Sequence, residues 1–317
     1  MCAVADSPAQ AHLLSLPTEI LVRILPFLDA SSLMALAQCS SALKAAVCVA
    51  WRARIYRKTE RHVSDAPLFY DVLEGLSGVV SGSTALSVLF GGDVDDGLPE
   101  WATGSDLDVY VPTLDAQVTL LQHLQERDEY MEVPLVSEVD DRYWENPAVI
   151  ASVTRLESPR FHGNIDVICA RGGSSIMPVV SFWSTLVMNF ITRSRLVVLY
   201  PRTTLRLEGY SNPSSDPAKV LACSRKYSAR GFTLHDFPHS PDGCEGVRGY
   251  CPSMLRYTED SLTLTIRWND DAPEPLVQAR SPAFGEERFV VQPAFWTWGS
   301  CKAQTDYAFP AYSMRLL

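Results

Sequence analysis

The first sixty residues carry a helical pattern of apolar positions. In the segment 16–28 apolar side chains recur every three or four residues, which is the spacing of one face of an α-helix. Pro17 suits the first turn, because an N–H group there has no partner within the helix. Asp29, and then Ser40 or Ser41, are capping residues for two further helices. The sequence therefore predicts three short helices, the first with an apolar stripe made by Ile20, Leu21, Ile24, Leu25 and Leu28.

The middle of the chain changes to the alternating pattern of strands. In the segment 107–111 the apolar residues alternate with Asp106, Asp108 and Tyr110, as on a strand with one buried face. Apolar positions in 115–127 lie on one side of a helix. Further strands are predicted at 149–153 and 164–169. This mixture of strands and helices indicates a mixed α/β unit.

We therefore predict an α+β protein with three parts. A three-helix module is followed by a mixed α/β core and then by a strand-rich C-terminal extension packed on that core, where Pro-rich and Gly-rich turns separate short strands. The predicted bounds are 14–57 for the helical module, 76–200 for the α/β core and 201–317 for the extension.

Charge limits the classes of partner. The chain has 27 Lys and Arg against 37 Asp and Glu, which gives a formal net charge of −10. Because the neutralisation of phosphates requires clustered cations, this balance argues against a general nucleic-acid binder. A basic run does end the helical region, and we interpret it as a solvated helix face and linker. It consists of Arg52, Arg54, Arg57, Lys58 and Arg61.

Cysteine usage and hydropathy indicate where the protein resides. Eight cysteines are scattered without a Cys-x-x-Cys pair, which is typical of reduced thiols rather than of a disulfide framework. No window of about 18 residues is both strongly apolar and free of charge, so we expect neither secretion nor insertion into a membrane. The expected location is the cytoplasm or the nucleus.

The segment LSLPTEILVRILPFLDASSLMALAQCSSALKAAV closely resembles the F-box. That motif opens with Leu-Pro, an acidic residue and paired aliphatic residues, and continues with a leucine-containing second helix. The resemblance implies docking on the adaptor subunit of SCF-type cullin–RING ubiquitin ligases through apolar side chains near the start of the first helix. The residues that would make this contact are Leu16, Pro17, Ile20, Leu21 and Ile24. The alternative is that these helices only cover the α/β core.

Three carboxylates and a Gly-Ser turn form a second group of candidate residues. Asp106 and Asp108 are two apart on a predicted strand, so their side chains leave the same face. Asp166, at the end of another apolar strand, could complete a triad that holds Mg²⁺ through oxygen ligands. Gly82 and Ser83 form a turn before a helix, where free N–H groups can hold phosphate oxygens. The alternative is that these aspartates are simply solvent-facing strand residues.

The same arrangement is similar to the nucleotidyltransferase superfamily, in which a Gly-Ser turn, a helix, an Asp-x-Asp strand and a third carboxylate strand recur. It also resembles a group of fungal F-box proteins that combine both segments. The resemblance implies that Gly82 and Ser83 bind nucleotide phosphate. It further implies that Asp106, Asp108 and Asp166 bind Mg²⁺ and support nucleotidyl transfer.

Two features of the sequence favour a non-catalytic domain. Twenty-two residues separate Ser83 from Asp106, and this spacer carries four carboxylates that would repel a triphosphate, namely Asp93, Asp95, Asp96 and Glu100. No Lys or Arg lies between Arg61 and Arg127. Countercharge would have to come from Arg127, Arg155, Arg160 or Arg171.

The leading hypothesis is therefore an F-box-type adaptor. It would link an SCF-type ubiquitin ligase to a protein target through a non-catalytic, nucleotidyltransferase-like domain, and it would require no cofactor. The alternative is a Mg²⁺-dependent nucleotidyltransferase that uses Asp106, Asp108 and Asp166.

Overall fold

The N-terminal part of the chain is helical. The computed structural model describes residues 16–91, 99–134, 148–236, 256–268 and 294–296. Its first helices are α1 Thr18–Ile24, α2 Ala30–Cys39 and α3 Ser41–Thr59, with a 3-10 turn at Leu25–Phe27. Asp29 caps α2 and Ser40 caps α3, because each side chain accepts a hydrogen bond from a first-turn N–H group. The predicted helical region is confirmed, but α3 is a long helix that continues past the predicted boundary at residue 57.

Twelve described strands follow the helical part, and eight of them form one large sheet. In chain order the strands are β1 Val79–Ser81, β2 Leu107–Val111, β3 Met131–Val133, β4 Ile150–Glu157, β5 Ile165–Ala170, β6 Asn189–Ile191, β7 Arg195–Val198, β8 Glu208–Tyr210, β9 Thr233–His235, β10 Arg256–Tyr257, β11 Leu264–Arg267 and β12 Phe295–Trp296. The order across the large sheet is β11-β7-β6-β1-β2-β5-β4-β3. Within it β2 and β5 are parallel, and the other neighbours are antiparallel.

Shorter helices and two small strand pairs complete the described structure. The remaining helices are α4 Ala66–Gly75, α5 Gly82–Ser87, α6 Leu114–Asp128, α7 Met177–Val180, α8 Pro201–Thr204 and α9 Pro217–Ser228. The pair β8 and β9 is parallel, whereas β10 and β12 are antiparallel. The predicted mixed α/β region is confirmed. Of the helices described, none has both the length and the apolar character needed to cross a membrane.

Alternate residues of the central strands face two different cores, as the period of a strand requires. On one face Val80, Val109 and Val167 belong to a core that also contains Leu33 and Trp51 of the helical region. The opposite face carries a second cluster that includes Val79, Tyr110, Ile168, Phe190 and Trp296. The helical region therefore shares its core with the sheet. In addition, β11 from the predicted extension pairs with β7 as an edge of the same sheet.

Arg54 corrects our interpretation of the basic run as a solvated face. Its side chain is fully buried, and its N–H groups donate to the carbonyl oxygens of Pro26 at 2.6 Å, of Leu28, and of Val88 at 2.9 Å. The last carbonyls of a helix have no partner within that helix. Arg54 supplies such partners at the 3-10 turn that follows the first helix, and it also binds the segment that follows α5.

Lys58, one turn further along α3, is also buried rather than solvated. Its ammonium group donates to the Ala102 carbonyl oxygen at 2.5 Å and to the Ser105 hydroxyl at 2.8 Å. Arg61 donates to the Thr103 carbonyl oxygen at 3.2 Å. The end of α3 and the turn after it therefore bind the loop that leads into β2.

The backbones of the helical region and the α/β region also touch directly. The Ala30 N–H donates to the Leu89 carbonyl oxygen at 2.8 Å. A Cβ atom at Gly91 would lie 2.0 Å from the carbonyl oxygen of Phe27, a separation that no real side chain tolerates. Gly91 is therefore required for this close approach.

Candidate functional site

An apolar stripe lies on the outer surface of the helical region. Ile20 is 40% exposed, Ile24 is 45% exposed and Phe27 is 46% exposed, and Pro17 is exposed beside them. The spacing of three, four and three residues places these side chains in one line along α1 and the 3-10 turn. We call Pro17, Ile20, Ile24 and Phe27 the docking stripe, because large apolar side chains exposed together are typical of interaction sites.

The residues between those of the stripe point inward. Leu21 is 7% exposed and Leu25 is 1% exposed, and both belong to the core shared with the sheet. Leu16 is partly buried and packs against that core. Of the five predicted partner-binding residues, Pro17, Ile20 and Ile24 therefore lie on the stripe, while Leu21 supports it from inside. The sequence prediction omitted Phe27, although its position three residues after Ile24 was a signal for it.

Arg54 binds the backbone of the turn that carries Phe27, on the buried side of the docking stripe. Its hydrogen bonds to Pro26 and Leu28, together with a longer one of 3.4 Å to the Leu25 carbonyl oxygen, surround the turn that carries Phe27. Burial lowers the pKa of Arg54 to about 10, an effect that nearby Asp29 opposes. The guanidinium group therefore keeps its charge at neutral pH and holds the turn with charge-assisted hydrogen bonds.

The second candidate site lies on the sheet face opposite the helical region. Asp108 on β2 is the register partner of Asp166 on the parallel strand β5 and of Ser81 on the antiparallel strand β1. Register partners project from the same face of a sheet. The structure therefore brings Asp108 and Asp166 side by side, with Asp166 fully buried and Asp108 partly exposed. Asp106, immediately before β2, is also partly exposed.

The Gly-Ser turn packs against one of these carboxylates. Gly82 has a φ of +67°, and a Cβ atom there would lie 2.0 Å from an Oδ atom of Asp108. Only glycine fits this backbone conformation so close to a side chain. Ser83 is buried. The predicted phosphate-binding turn therefore faces a negative charge, which would repel a phosphate unless a cation lay between them.

Arg155 determines the electrostatics of this face. It is the β4 register partner of Asp166, and its Nε and Nη2 atoms donate to the two carboxylate oxygens at 2.8 Å each. This paired geometry is the strongest form of an arginine–carboxylate contact. Within the described ranges no three His, Cys, Asp or Glu side chains are arranged to hold a metal ion. The Mg²⁺ site of Asp106, Asp108 and Asp166 therefore stays a prediction, and the contact of Arg155 with Asp166 counts against it.

Two buried tyrosines border the carboxylates. Burial raises the pKa of Tyr110 well above its ordinary value, and the charges of Asp108 and Asp166 raise it further. Burial also raises the pKa of Tyr227, where Arg230 opposes the effect and Asp108 adds to it. Both phenols therefore stay neutral at physiological pH, and neither can act there as a general base.

The structure places other charged residues of the sequence prediction away from Asp108 and Asp166. Arg127 forms an exposed ion pair with Asp65, and Arg160 forms an exposed ion pair with Glu129. Glu100 begins a 3-10 turn, Glu100–Ala102, in the spacer before β2. Asp93, Asp95 and Asp96 of the spacer lie outside the described residues. Of the four predicted countercharges, Arg155 is the one that the structure places against a candidate carboxylate.

In a comparison with known protein families, the helical region matches a family model. Residues 13–57 match the family model described as F-box-like. No curated protein and no solved structure matches the chain. The matched residues include all of the docking stripe, and they support an adaptor role in ubiquitin-ligase complexes. The α/β region lies outside the match.

The Arg155–Asp166 pair generates a stability prediction. We expect Arg155→Met to lower the free energy of unfolding by about 3–5 kcal/mol, because it leaves a buried carboxylate without its arginine. Arg127→Met is the control, since it breaks an exposed ion pair and should cost less than about 1 kcal/mol. Urea unfolding of both variants measures the difference. A cost for Arg155→Met no larger than that of the control would contradict the structural role of the pair.

Proposed function

We propose that this chain, whose N-terminal module is F-box-like, is an adaptor that docks on the adaptor subunit of an SCF-type ubiquitin ligase and presents a protein target through its α/β domain. The observation that carries the proposal is the docking stripe, a line of exposed apolar side chains on a helical segment that matches the F-box-like family model. Such a ligase partner supports the expected location in the cytoplasm or the nucleus.

The exposure of the stripe separates this proposal from the simpler idea that the helices only cover the sheet. Covering the sheet accounts for Leu21, Leu25 and Leu33, which are buried in the shared core. It does not account for Ile24 or Phe27, each almost half exposed. Burial of such side chains by a partner is favourable by roughly 25 cal/mol for each Å² of apolar surface. A partner that covers the stripe would therefore gain binding energy from these residues.

In this proposal the α/β domain is a binding module of the nucleotidyltransferase-like type, as in the fungal F-box proteins that the sequence resembles. The order of the Gly82 turn, the Asp108 strand and the parallel Asp166 strand supports the likeness. Arg155 supports a non-catalytic role, because its guanidinium group binds both oxygens of Asp166. The domain would then serve to recognise the target, and it would need no metal or cofactor.

The docking stripe can be tested with a matched pair of double variants. We expect Ile24→Ser with Phe27→Ser to weaken binding of the ligase adaptor at least about tenfold, since a buried anchor contributes about 1–3 kcal/mol. Leu114→Ser with Val118→Ser is the control, because these α6 side chains are 58% and 52% exposed outside the stripe. Binding is measured by co-purification and titration calorimetry.

Thermal unfolding of both double variants provides the companion measurement. Because all four replaced side chains are exposed, both variants should melt close to the unmodified protein. Unchanged adaptor binding by the Ile24 and Phe27 variant, or failure of the unmodified chain to bind the adaptor, would refute the proposal.

A Mg²⁺-dependent nucleotidyltransferase is the second candidate function. One observation favours it, the register of Asp108 beside Asp166 with Gly82 packed against Asp108. The pairing of Asp166 with Arg155 counts against it, because a cation already occupies the third carboxylate.

An assay for pyrophosphate release decides between the two candidates. We expect the protein, incubated with labelled nucleoside triphosphates and Mg²⁺, to release no pyrophosphate above background, because Arg155 holds Asp166. Asp106→Asn with Asp108→Asn is the matched control, and it should give the same background. Release that disappears in this double variant would establish the second candidate and contradict a non-catalytic domain.

A further inference from the structure

Helix α3 carries a row of cations that reaches from the docking stripe to the carboxylate-bearing strand. Arg54 and Lys58 are four residues apart, so they lie on the same side of the helix, and Arg61 follows in the turn after its end. Arg54 binds the carbonyls of the turn that carries Phe27. Lys58 and Arg61 bind the loop 102–105. Helix α3 therefore contacts both the turn that carries Phe27 and the loop 102–105.

A second connection closes this path into a ring. The loop 102–105 leads directly to Asp106, whose carbonyl oxygen accepts a hydrogen bond from the Thr84 hydroxyl at 3.0 Å. Thr84 is on α5, and the segment after α5 provides the Val88 carbonyl that Arg54 binds. The links are hydrogen bonds to backbone carbonyls, together with the one from Lys58 to the Ser105 hydroxyl. Loss of such a partner for a buried group costs about 1–3 kcal/mol. Breaking any one of these hydrogen bonds alone is therefore unfavourable.

We propose that α3 couples the docking stripe to the loop 102–105 and to the Asp106–Asp108 segment, so that a partner bound on the stripe restrains the loop, and a ligand bound on the carboxylate face strengthens docking. The docking half of this inference rests on the proposed function. The coupling is reciprocal, because two sites that bias one shared structural equilibrium must affect each other equally. Docking on the ligase would thereby stabilise the face that meets the target.

Hydrogen exchange with and without the ligase adaptor tests the coupling. Adaptor bound on the stripe should slow amide exchange in residues 101–111 about fivefold, the lower range of ordinary coupling. Lys58→Met should abolish this slowing, because it removes the contacts to Ala102 and Ser105. Gln117→Met is the matched control, since it also replaces a buried polar side chain that binds a carbonyl, that of Val167. It should retain the slowing.

The free chain gives a readout that does not depend on the adaptor. There Lys58→Met should speed exchange in residues 24–28 about fivefold relative to Gln117→Met, since the row of cations is broken at its centre. Ser105→Ala, which removes one of the two Lys58 contacts, is the milder variant if Lys58→Met does not fold.

Four outcomes overturn the coupling or separate it from the proposed function. If the adaptor binds and residues 101–111 exchange as before, the coupling is wrong while the docking proposal stands. Equal slowing in Lys58→Met and Gln117→Met also overturns it, because the effect would not pass through Lys58. If the adaptor does not bind, the proposed function fails, and unchanged exchange of residues 24–28 in the free variant overturns the coupling independently.

Discussion

The hydrogen bonds of the buried Arg54 guanidinium group are the interaction on which the rest of the structure depends. A buried charge is costly unless it is hydrogen-bonded, and the two Nη atoms of Arg54 donate to carbonyl oxygens of Pro26, Leu28 and Val88. The same bonds provide partners for carbonyls of the 3-10 turn and of Leu28, just beyond the first helix. Because these carbonyls come from both regions of the chain, the helical module can keep this arrangement only while it packs on the α/β domain.

Much of the local structure follows from sequence, because caps and periodicity are local properties. Asp29 and Ser40 begin the helices that their positions predict, and the alternation around Asp108 predicts the strand that carries it. The interpretation of the basic run as solvated is wrong for Arg54 and Lys58, because most of their partners are backbone carbonyls, which have no sequence signature. Lys58 follows Arg54 by one helical turn, and the buried Ile55 is the neighbour of Arg54 in the sequence. This spacing indicates that both cations lie on the side of α3 that faces inward.

The candidate sites were predictable to different degrees. The stripe residues Ile20 and Ile24 follow from helical spacing, but which neighbours turn inward depends on where the sheet lies. Side-by-side placement of Asp108 and Asp166 follows once their strands are parallel and adjacent. The sequence predicts Arg155 only as a distant countercharge for a nucleotide, because the register that sets it against Asp166 cannot be determined from sequence. That one contact gives Asp166 a countercharge from within the protein.

Native-state hydrogen exchange in increasing urea tests most directly whether the F-box-like module and the α/β domain are one cooperative unit. If Arg54 and the shared core join them, the slowest amides of α2 and of β5 will open with the same free energy, that of global unfolding. In Arg54→Met the α2 amides will open at a lower free energy than those of β5. Separate opening free energies already present in the unmodified protein would contradict the account.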